Sequence, residues 1–223
     1  MNLRQAALLA VACAVSPHFC AALDRGGRID GRMFFPAKTA ARELSGIIVF
    51  LTPVGHEVPV RPPAEHAVIS QKSAKFRPEL LVIPKGQTVD FVNDDQVDHN
   101  VFSFSSARSF DLGLYPRGVF KSVKFETPGP VVTLCSIHEW MAGVIYVAPS
   151  HLFAVSDKAG GFSIVDVPPG RYVAYTWNPR FPTVSEAVEV DRVVVEAGRP
   201  VSLRIDLTKG LRGASANPGA KKP

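Results

Sequence analysis

The chain alternates between short apolar segments and clusters of proline and glycine, which leaves little room for helices. In the segment 201–207, apolar residues alternate strictly with polar ones, a pattern typical of a strand with one buried face. Helical periodicity is weak, and only residues 37–44 could form a short helix. The predicted strands cover residues 29–35, 47–51, 80–83, 88–92, 101–104, 119–125, 131–134, 144–147, 172–177, 193–196 and 201–207. Many short strands between regularly spaced turns predict an all-β fold made of sandwiches.

The charge distribution argues against a nucleic-acid partner. The 223 residues include 25 Lys and Arg against 20 Asp and Glu, a net charge of +5. The excess lies at the two ends, in Arg4 and in four basic residues after Asp206. Residues 23–208 therefore carry 20 basic and 20 acidic side chains. A neutral body lacks the basic field that a phosphate backbone requires, so we expect no nucleic-acid binding.

The first 22 residues resemble a secretory signal peptide. A polar start with Arg4 precedes an apolar segment, residues 6–15, that is too short to span a bilayer. No later segment holds 18 uninterrupted apolar residues. We therefore expect a protein exported to the periplasm and not transmembrane. Cleavage after residue 22 would remove Cys13 and Cys20, so Cys135 would be the one remaining thiol: a ligand, a reactive group or an inert buried residue.

Three potential metal ligands fall within one seven-residue segment. Cys135, His138 and Met141 have the spacing C-x-x-H-x-x-M, between two predicted strands. His99 lies 36 positions upstream, where another predicted strand begins. One thiolate, two imidazoles and a thioether are the ligands of trigonal copper sites that transfer electrons. The thiolate and thioether favour Cu(I) and imidazole also suits Cu(II), so the pattern predicts one bound copper ion.

Other interpretations of these residues stay open. A structural zinc site is one alternative, although closed zinc sites seldom use a thioether. A Cys–His nucleophile pair is another, but the sequence offers no evident third group to orient the histidine. Taken singly, Met141 could be core filler, and His99 could be a surface histidine or a core histidine with its hydrogen bonds satisfied.

The segments 98–101 and 135–141 resemble the copper motifs of cupredoxins, and the short gap between His138 and Met141 is similar to that of amicyanin. A wider resemblance is to exported plastocyanin-like proteins often labelled methylamine utilization proteins. It covers residues 76–78, 81–84, 99–103 and 135–141. Glu79 departs from this group, whose members often carry histidine there.

The resemblance implies a cupredoxin Greek-key β-sandwich that holds one type 1 copper ion. The implied ligands are His99, Cys135, His138 and Met141. Asn100 and Ser136 would form hydrogen bonds next to the ligand loops.

A second module follows the copper motifs. Residues 156–172 resemble the carboxypeptidase regulatory-like, transthyretin-type β-sandwich. We expect a cupredoxin domain at 62–149 inserted into one discontinuous sandwich made of 24–61 and 150–208, followed by a disordered basic tail at 209–223. Two consecutive domains, with an N-terminal strand added to the cupredoxin, are the alternative. The inserted arrangement requires residues 47–51 to pair with strands after residue 160.

These features predict an electron carrier that passes single electrons between a redox donor and a redox acceptor. Four protein ligands would leave no open position for a substrate, so we expect no enzyme activity. The alternatives are a copper-binding or delivery protein without redox turnover, and a β-sandwich interaction protein with structural metal or none.

Several neighbouring residues allow two interpretations. Trp140 could face a redox partner in a docking patch or pack beneath the ligand loop. Asp94, Asp95 and Asp98 could form an acidic docking face, but turn formation after the strand 88–92 explains Asn93, Asp94 and Asp95 equally simply, and we favour the turn. The remaining histidines of the body, at positions 56, 66 and 151, are expected to be solvated.

Overall fold

The computed structural model describes residues 26–34, 44–180 and 186–208. The predictions of a signal peptide at 1–22 and of a disordered tail at 209–223 fall outside the described residues. So does the predicted helix at 37–44, except for its last residue.

The described residues are almost entirely β-structure, which confirms the all-β prediction. The strands are β1 (Gly27–Phe34), β2 (Ile48–Pro53), β3 (Ala67–Gln71), β4 (Phe76–Arg77), β5 (Leu80–Pro84), β6 (Thr88–Asn93), β7 (His99–Ser105), β8 (Arg108–Tyr115), β9 (Phe120–Lys124), β10 (Gly129–Leu134), β11 (Ala142–Ala148), β12 (Phe153–Val155), β13 (Gly161–Val167), β14 (Gly170–Trp177), β15 (Val188–Val195) and β16 (Pro200–Asp206). No helix in the described ranges is long and apolar enough to cross a membrane.

The strands form four sheets. Sheet I has the order β5-β11-β10-β7-β8, and sheet II has the order β4-β3-β6-β9. Sheet III has the order β12-β2-β14-β15, and sheet IV has the order β13-β1-β16. Sheets III and IV therefore combine strands from both ends of the described chain, while sheets I and II use only the strands between them. The pairing of β2 with β14 is the one that the inserted arrangement requires.

Alternation of side chains along the strands builds one core between each pair of facing sheets. In β6, for example, Val89, Phe91 and Asn93 are buried while the residues between them are half-buried. The first core lies between sheets I and II and includes Phe76, Phe91 and Ile145. The second lies between sheets III and IV.

A third apolar cluster joins sheet I to sheet III. Tyr146 of β11 packs against Trp177 of β14, with ring centroids 4.7 Å apart, and against Phe50 of β2 at 5.7 Å. Its neighbours Ile145 and Val147 point to the opposite side, into the first core. The four sheets are therefore stacked in the order II, I, III, IV. Sheet I is covered on both faces at β11, which explains why that strand is a continuous apolar run.

Replacing Tyr146 tests the contact between the stacked sheets. Tyr146 is only 4% exposed, so Tyr146→Ala removes a buried ring from the third cluster. We expect the free energy of unfolding to fall by about 3 kcal/mol, as for other buried aromatic residues cut to alanine. Phe104→Ala is the control, because Phe104 is 83% exposed and its loss should cost less than about 0.5 kcal/mol. Equal effects of the two substitutions in denaturant unfolding would contradict this packing.

The β3–β4 hairpin contains a strained two-residue turn. Lys72 and Lys75 close the turn with hydrogen bonds between their backbones, at 3.0 and 3.3 Å. Ser73 and Ala74 both have positive φ, 55° and 51°, which residues with a Cβ atom adopt at a cost. Such turns strongly prefer the pair Asn-Gly.

The double substitution Ser73→Asn with Ala74→Gly should therefore stabilise the protein. We expect a gain of about 1 kcal/mol in the free energy of unfolding, since the strain is relieved and every backbone hydrogen bond is retained. Denaturant unfolding of the metal-free protein measures it. Gly55→Ala is a contrasting variant, because Gly55 has φ 76° with open space around its Cβ position. Gly55→Ala should lower the free energy of unfolding. An increase would show that positive φ is not the cause of the strain in the β3–β4 turn.

Candidate metal centre

His99 opens β7 and points into the protein. Its side chain is fully buried, and its backbone pairs with Tyr115 in the neighbouring strand β8. The ring nitrogen Nδ1 lies 3.7 Å from the Sγ atom of Cys135. The strand pairing thus places an imidazole beside the one thiol of the described residues.

Cys135 and His138 lie in the loop that connects β10 to β11. Leu134 pairs with Ala142, so residues 135–141 form the whole connection. The backbone N–H of Cys135 donates to the carbonyl oxygen of Met141, at 3.2 Å, and the N–H of Met141 donates to the carbonyl oxygen of His138, at 2.9 Å. These bonds fold the loop back on itself and bring Nδ1 of His138 to 3.9 Å from Sγ of Cys135.

Three donor atoms lie close enough together to form a candidate site for one metal ion. The nearest ligand atoms of His99, Cys135 and His138 all lie within 4.8 Å of one another. Donors that bind one ion at about 2.1 Å for nitrogen and about 2.3 Å for sulfur cannot lie more than about 4.4 Å apart. Both nitrogen-to-sulfur distances satisfy that limit. Within the described residues, this is the one group of three such side chains placed to share an ion.

Met141 lies at the end of the same loop. Its side chain is 1% exposed and belongs to the apolar cluster that also contains Cys135. The predicted thioether is therefore buried in the same core as the thiol.

Asp95 contacts His99 from the side away from the thiol. Its Oδ2 atom accepts hydrogen bonds from Nε2 of His99, at 3.0 Å, and from the backbone N–H of Ala74, at 2.8 Å. The bonds from Ala74 and from His99 lower the pKa of Asp95 to about 2. Asp94 and Asp98, by contrast, are exposed. The sequence predicts only a turn or docking role for Asp95, because a spacing of four residues in a loop does not predict its contact with His99.

Asn100 connects the two ligand-bearing segments. Its Oδ1 atom accepts hydrogen bonds from the backbone N–H of Ser136, at 2.7 Å, and from the hydroxyl of Ser136, at 2.8 Å. Asn100 follows His99 and Ser136 follows Cys135, so these bonds join the residues next to two predicted ligands. Asn100 is buried, which raises the cost of leaving its partners unpaired.

A buried polar network holds the loop before His99. Asn93 donates to the carbonyl oxygens of Tyr115 and Val97, both at 2.9 Å, and accepts from the N–H of Asp95, also at 2.9 Å. The hydroxyl of Tyr115 accepts from Gln71 and donates to the carbonyl oxygen of Phe91. Burial raises the pKa of Tyr115 far above its ordinary value, so the phenol is neutral at physiological pH.

Trp140 lies on the outer side of the ligand loop. Its indole is 72% exposed, and its ring centroid is 5.3 Å from that of His138. The His138 ring is in turn 4.9 Å from the ring of His99. Ile137 of the same loop is also exposed. The indole therefore does not pack beneath the loop, and its docking role stays a prediction.

The other described histidines and Glu79 lie apart from this cluster. His66 and His151 are exposed, as expected for solvated residues. His56 differs, because it is half-buried and its ring packs edge-on against Tyr172, with centroids 5.1 Å apart. Its position in the bend after β2 turns the ring towards the second core. Glu79 is exposed before β5.

Comparison with known proteins gives only partial likenesses. No protein-family model and no curated protein matches the sequence. A purple cupredoxin from Nitrosopumilus maritimus is 29% identical over 37% of this chain and 99% of its own, with a TM-score of 0.34. A copper-containing nitrite reductase from Thermus scotoductus is 28% identical over 43% of this chain and 25% of its own, with a TM-score of 0.36. The oxidized state of an amicyanin mutant is 21% identical over 37% of this chain and 81% of its own, with a TM-score of 0.35. Since these scores are low, we base the function on the residues and their geometry.

Asn100→Ala tests the brace between the two ligand segments. The substitution removes both hydrogen bonds to Ser136 and leaves a backbone N–H without its partner. We expect the free energy of unfolding of the metal-free protein to fall by about 1–3 kcal/mol. Ser136→Ala is the matched control, because it removes only the hydroxyl bond and should cost about 1 kcal/mol or less. A larger loss in Ser136→Ala than in Asn100→Ala would contradict the brace.

Proposed function

We propose that this chain is an exported type 1 copper protein that carries single electrons between a donor and an acceptor redox protein. The observation that carries the proposal is the approach of one thiol sulfur and two imidazole nitrogens to within 4.8 Å of one another. The proposed ligands of one copper ion are His99, Cys135, His138 and Met141, with Met141 as the weak fourth ligand.

The chemistry of the donors favours copper over zinc. Structural zinc sites close their coordination with four strong ligands, and the cluster here supplies three from histidine and cysteine. A thiolate and a buried thioether from one loop suit Cu(I), and the two imidazoles suit both oxidation states. Bound copper would supply one-electron chemistry by alternating between Cu(I) and Cu(II).

The chain holds these donors in a fixed arrangement. His99 belongs to a strand, and Cys135 directly follows one, so neither can move without disturbing sheet I. Asn100 and the backbone bonds of the ligand loop restrict His138 and Met141. A site that stays the same when its charge changes has little to reorganise, which is what rapid electron transfer requires. Four protein ligands would leave no open position for a substrate, so we propose a carrier and not an enzyme.

We propose that redox partners dock on the face that contains Trp140. The indole is exposed and lies beside His138, the less buried of the two histidines. An electron arriving at this surface would have the shortest route to the site through the His138 ring. Ile137 adds apolar area to the same patch.

We further propose that residues 62–149 form the copper domain and that 24–61 and 150–208 form one discontinuous sandwich around it. The pairing of β1 with β13 and β16, and of β2 with β12 and β14, supports these boundaries. The sandwich, which resembles regulatory-like modules, would act as a scaffold or docking surface. The signal-like segment 1–22 supports export to the periplasm, and the methylamine utilization proteins that the sequence resembles are also exported.

Copper titration of the purified protein tests this function. One equivalent of Cu(II) should produce an intense blue thiolate-to-copper absorption band, which Cys135→Ser and His138→Ala should lose. His66→Ala is the control for a histidine outside the cluster, since His66 is exposed and bonded to Asp90, and it should keep the band. A folded wild-type protein that stays colourless would contradict the proposal and favour a sandwich with structural metal or none.

The same experiment separates electron transfer from copper delivery. A delivery protein would turn blue and then surrender its copper rapidly to a competing chelator. An electron carrier should retain copper through repeated cycles of reduction and oxidation, with the blue band returning in full each time.

A further inference from the structure

The residues around Asp95 combine three features that turn formation alone does not require. The Asp95 carboxylate points at a fully buried imidazole, it accepts a backbone N–H from a separate turn, and its own backbone N–H is bound by a buried side chain. The N–H that holds it comes from Ala74, in the strained turn of the β3–β4 hairpin.

We propose that Asp95 is a positioning residue that fixes the tautomer of His99 and tunes the metal centre through it. This inference rests on the proposed copper function for its effect on the metal, but its effect on His99 is a property of the metal-free protein. The contact that carries it is the 3.0 Å hydrogen bond between Nε2 of His99 and Oδ2 of Asp95.

The tautomer follows from the donors and acceptors around the ring. An ionised carboxylate can only accept, so Nε2 of His99 must carry the hydrogen of that bond. In a neutral imidazole, Nδ1 is then unprotonated, and Nδ1 is the nitrogen that faces Sγ of Cys135 at 3.7 Å. Asp95 thus directs the lone pair of His99 towards the thiol before any metal binds. The opposite tautomer would carry a proton on Nδ1, at the position where the metal must bind.

The carboxylate is itself fixed in place from two further sides. Ala74 donates to the same oxygen that contacts His99, while the N–H of Gln96 donates to the other oxygen, at 2.9 Å. Asn93, which is fully buried, accepts the N–H of Asp95. Because each of these partners is a donor or holds the backbone, the carboxylate cannot rotate away from His99 without losing several hydrogen bonds.

A carboxylate hydrogen-bonded to a ligand imidazole increases the basicity of that ligand, and loss of such a partner typically costs 10- to 100-fold in metal affinity. The added electron density favours Cu(II) over Cu(I), because Cu(II) has the higher charge. Removing the charge of Asp95 should therefore weaken Cu(II) binding more than Cu(I) binding and raise the reduction potential. A tenfold loss confined to Cu(II) corresponds to a rise of 59 mV for a one-electron couple.

The decisive comparison is Asp95→Asn against Asp94→Asn. Both remove one carboxylate charge from adjacent positions, but Asp94 is exposed and its carboxylate accepts a bond from Ser70. Asp95→Asn should bind Cu(II) at least tenfold more weakly than the wild type and have a higher potential, whereas Asp94→Asn should stay close to the wild type. Equal shifts in the two variants would show a general charge effect and overturn the proposal. Asp95→Glu, which keeps a carboxylate, should recover part of the wild-type potential.

Nitrogen NMR of the metal-free wild-type protein gives a second readout. At about pH 8, where ordinary imidazole is neutral, His99 should show a protonated Nε2 and an unprotonated Nδ1. Asp95→Asn should show a mixture of tautomers, and far-UV circular dichroism checks that it folds. A protonated Nδ1 in the wild type would overturn the proposal even if Asp95→Asn fails to fold. A wild-type protein with the expected tautomer but no copper binding would contradict the copper function and leave the role of Asp95 intact.

Discussion

The antiparallel pairing of β7 with β10 is the contact on which the metal centre depends. It brings His99 and Cys135, which are 36 residues apart, to within 3.7 Å. Closing so long a segment costs conformational entropy, which burial of both faces of sheet I offsets. A register shift of one residue would turn His99 away from the first core. The hydrogen bonds from Ser136 to Asn100 act against that shift, because they join the start of β7 to the loop after β10 next to the candidate site.

Sheets III and IV support this arrangement, because sheet III packs against the face of sheet I that points away from the first core. β11 begins directly after the ligand loop, and its side chains alternate between Ile145 in the first core and Tyr146 in the cluster shared with sheet III. Any displacement of β11 would therefore disturb two packed cores at once. Since protein interiors are close-packed, such a strand is a rigid attachment for the loop that contains His138 and Met141. The stacking of sheet III on sheet I thus contributes to the fixed geometry that we propose for electron transfer.

The sequence predicted the strands with clear apolar patterns and failed where exposure removed the pattern. β2, β5, β6, β11 and β14 lie within two residues of their predicted bounds, and each contains at least two buried residues. β8 was missed, since it is an edge strand of sheet I with mostly exposed or half-buried residues. The grouping of cysteine and two histidines followed from residue type and spacing. The contact of Asp95 with His99 did not, because it depends on the register of β3 with β6, which places the β3–β4 turn beside the loop after β6.

The two histidines of the cluster have different environments, and we expect them to have different roles. His99 is fully enclosed and bonded to a carboxylate, so in the proposed copper site its environment would control the electronic character of the metal and not access to it. His138 is only half-buried and contacts an exposed indole, so its environment would control access. Mutations on the Asp95 side should therefore change the thermodynamics of electron transfer, while mutations on the Trp140 side should change its rate with a partner. In the proposed function, such a separation would let the partner surface vary without altering the reduction potential, because Asp95 contacts His99 whereas Trp140 contacts His138.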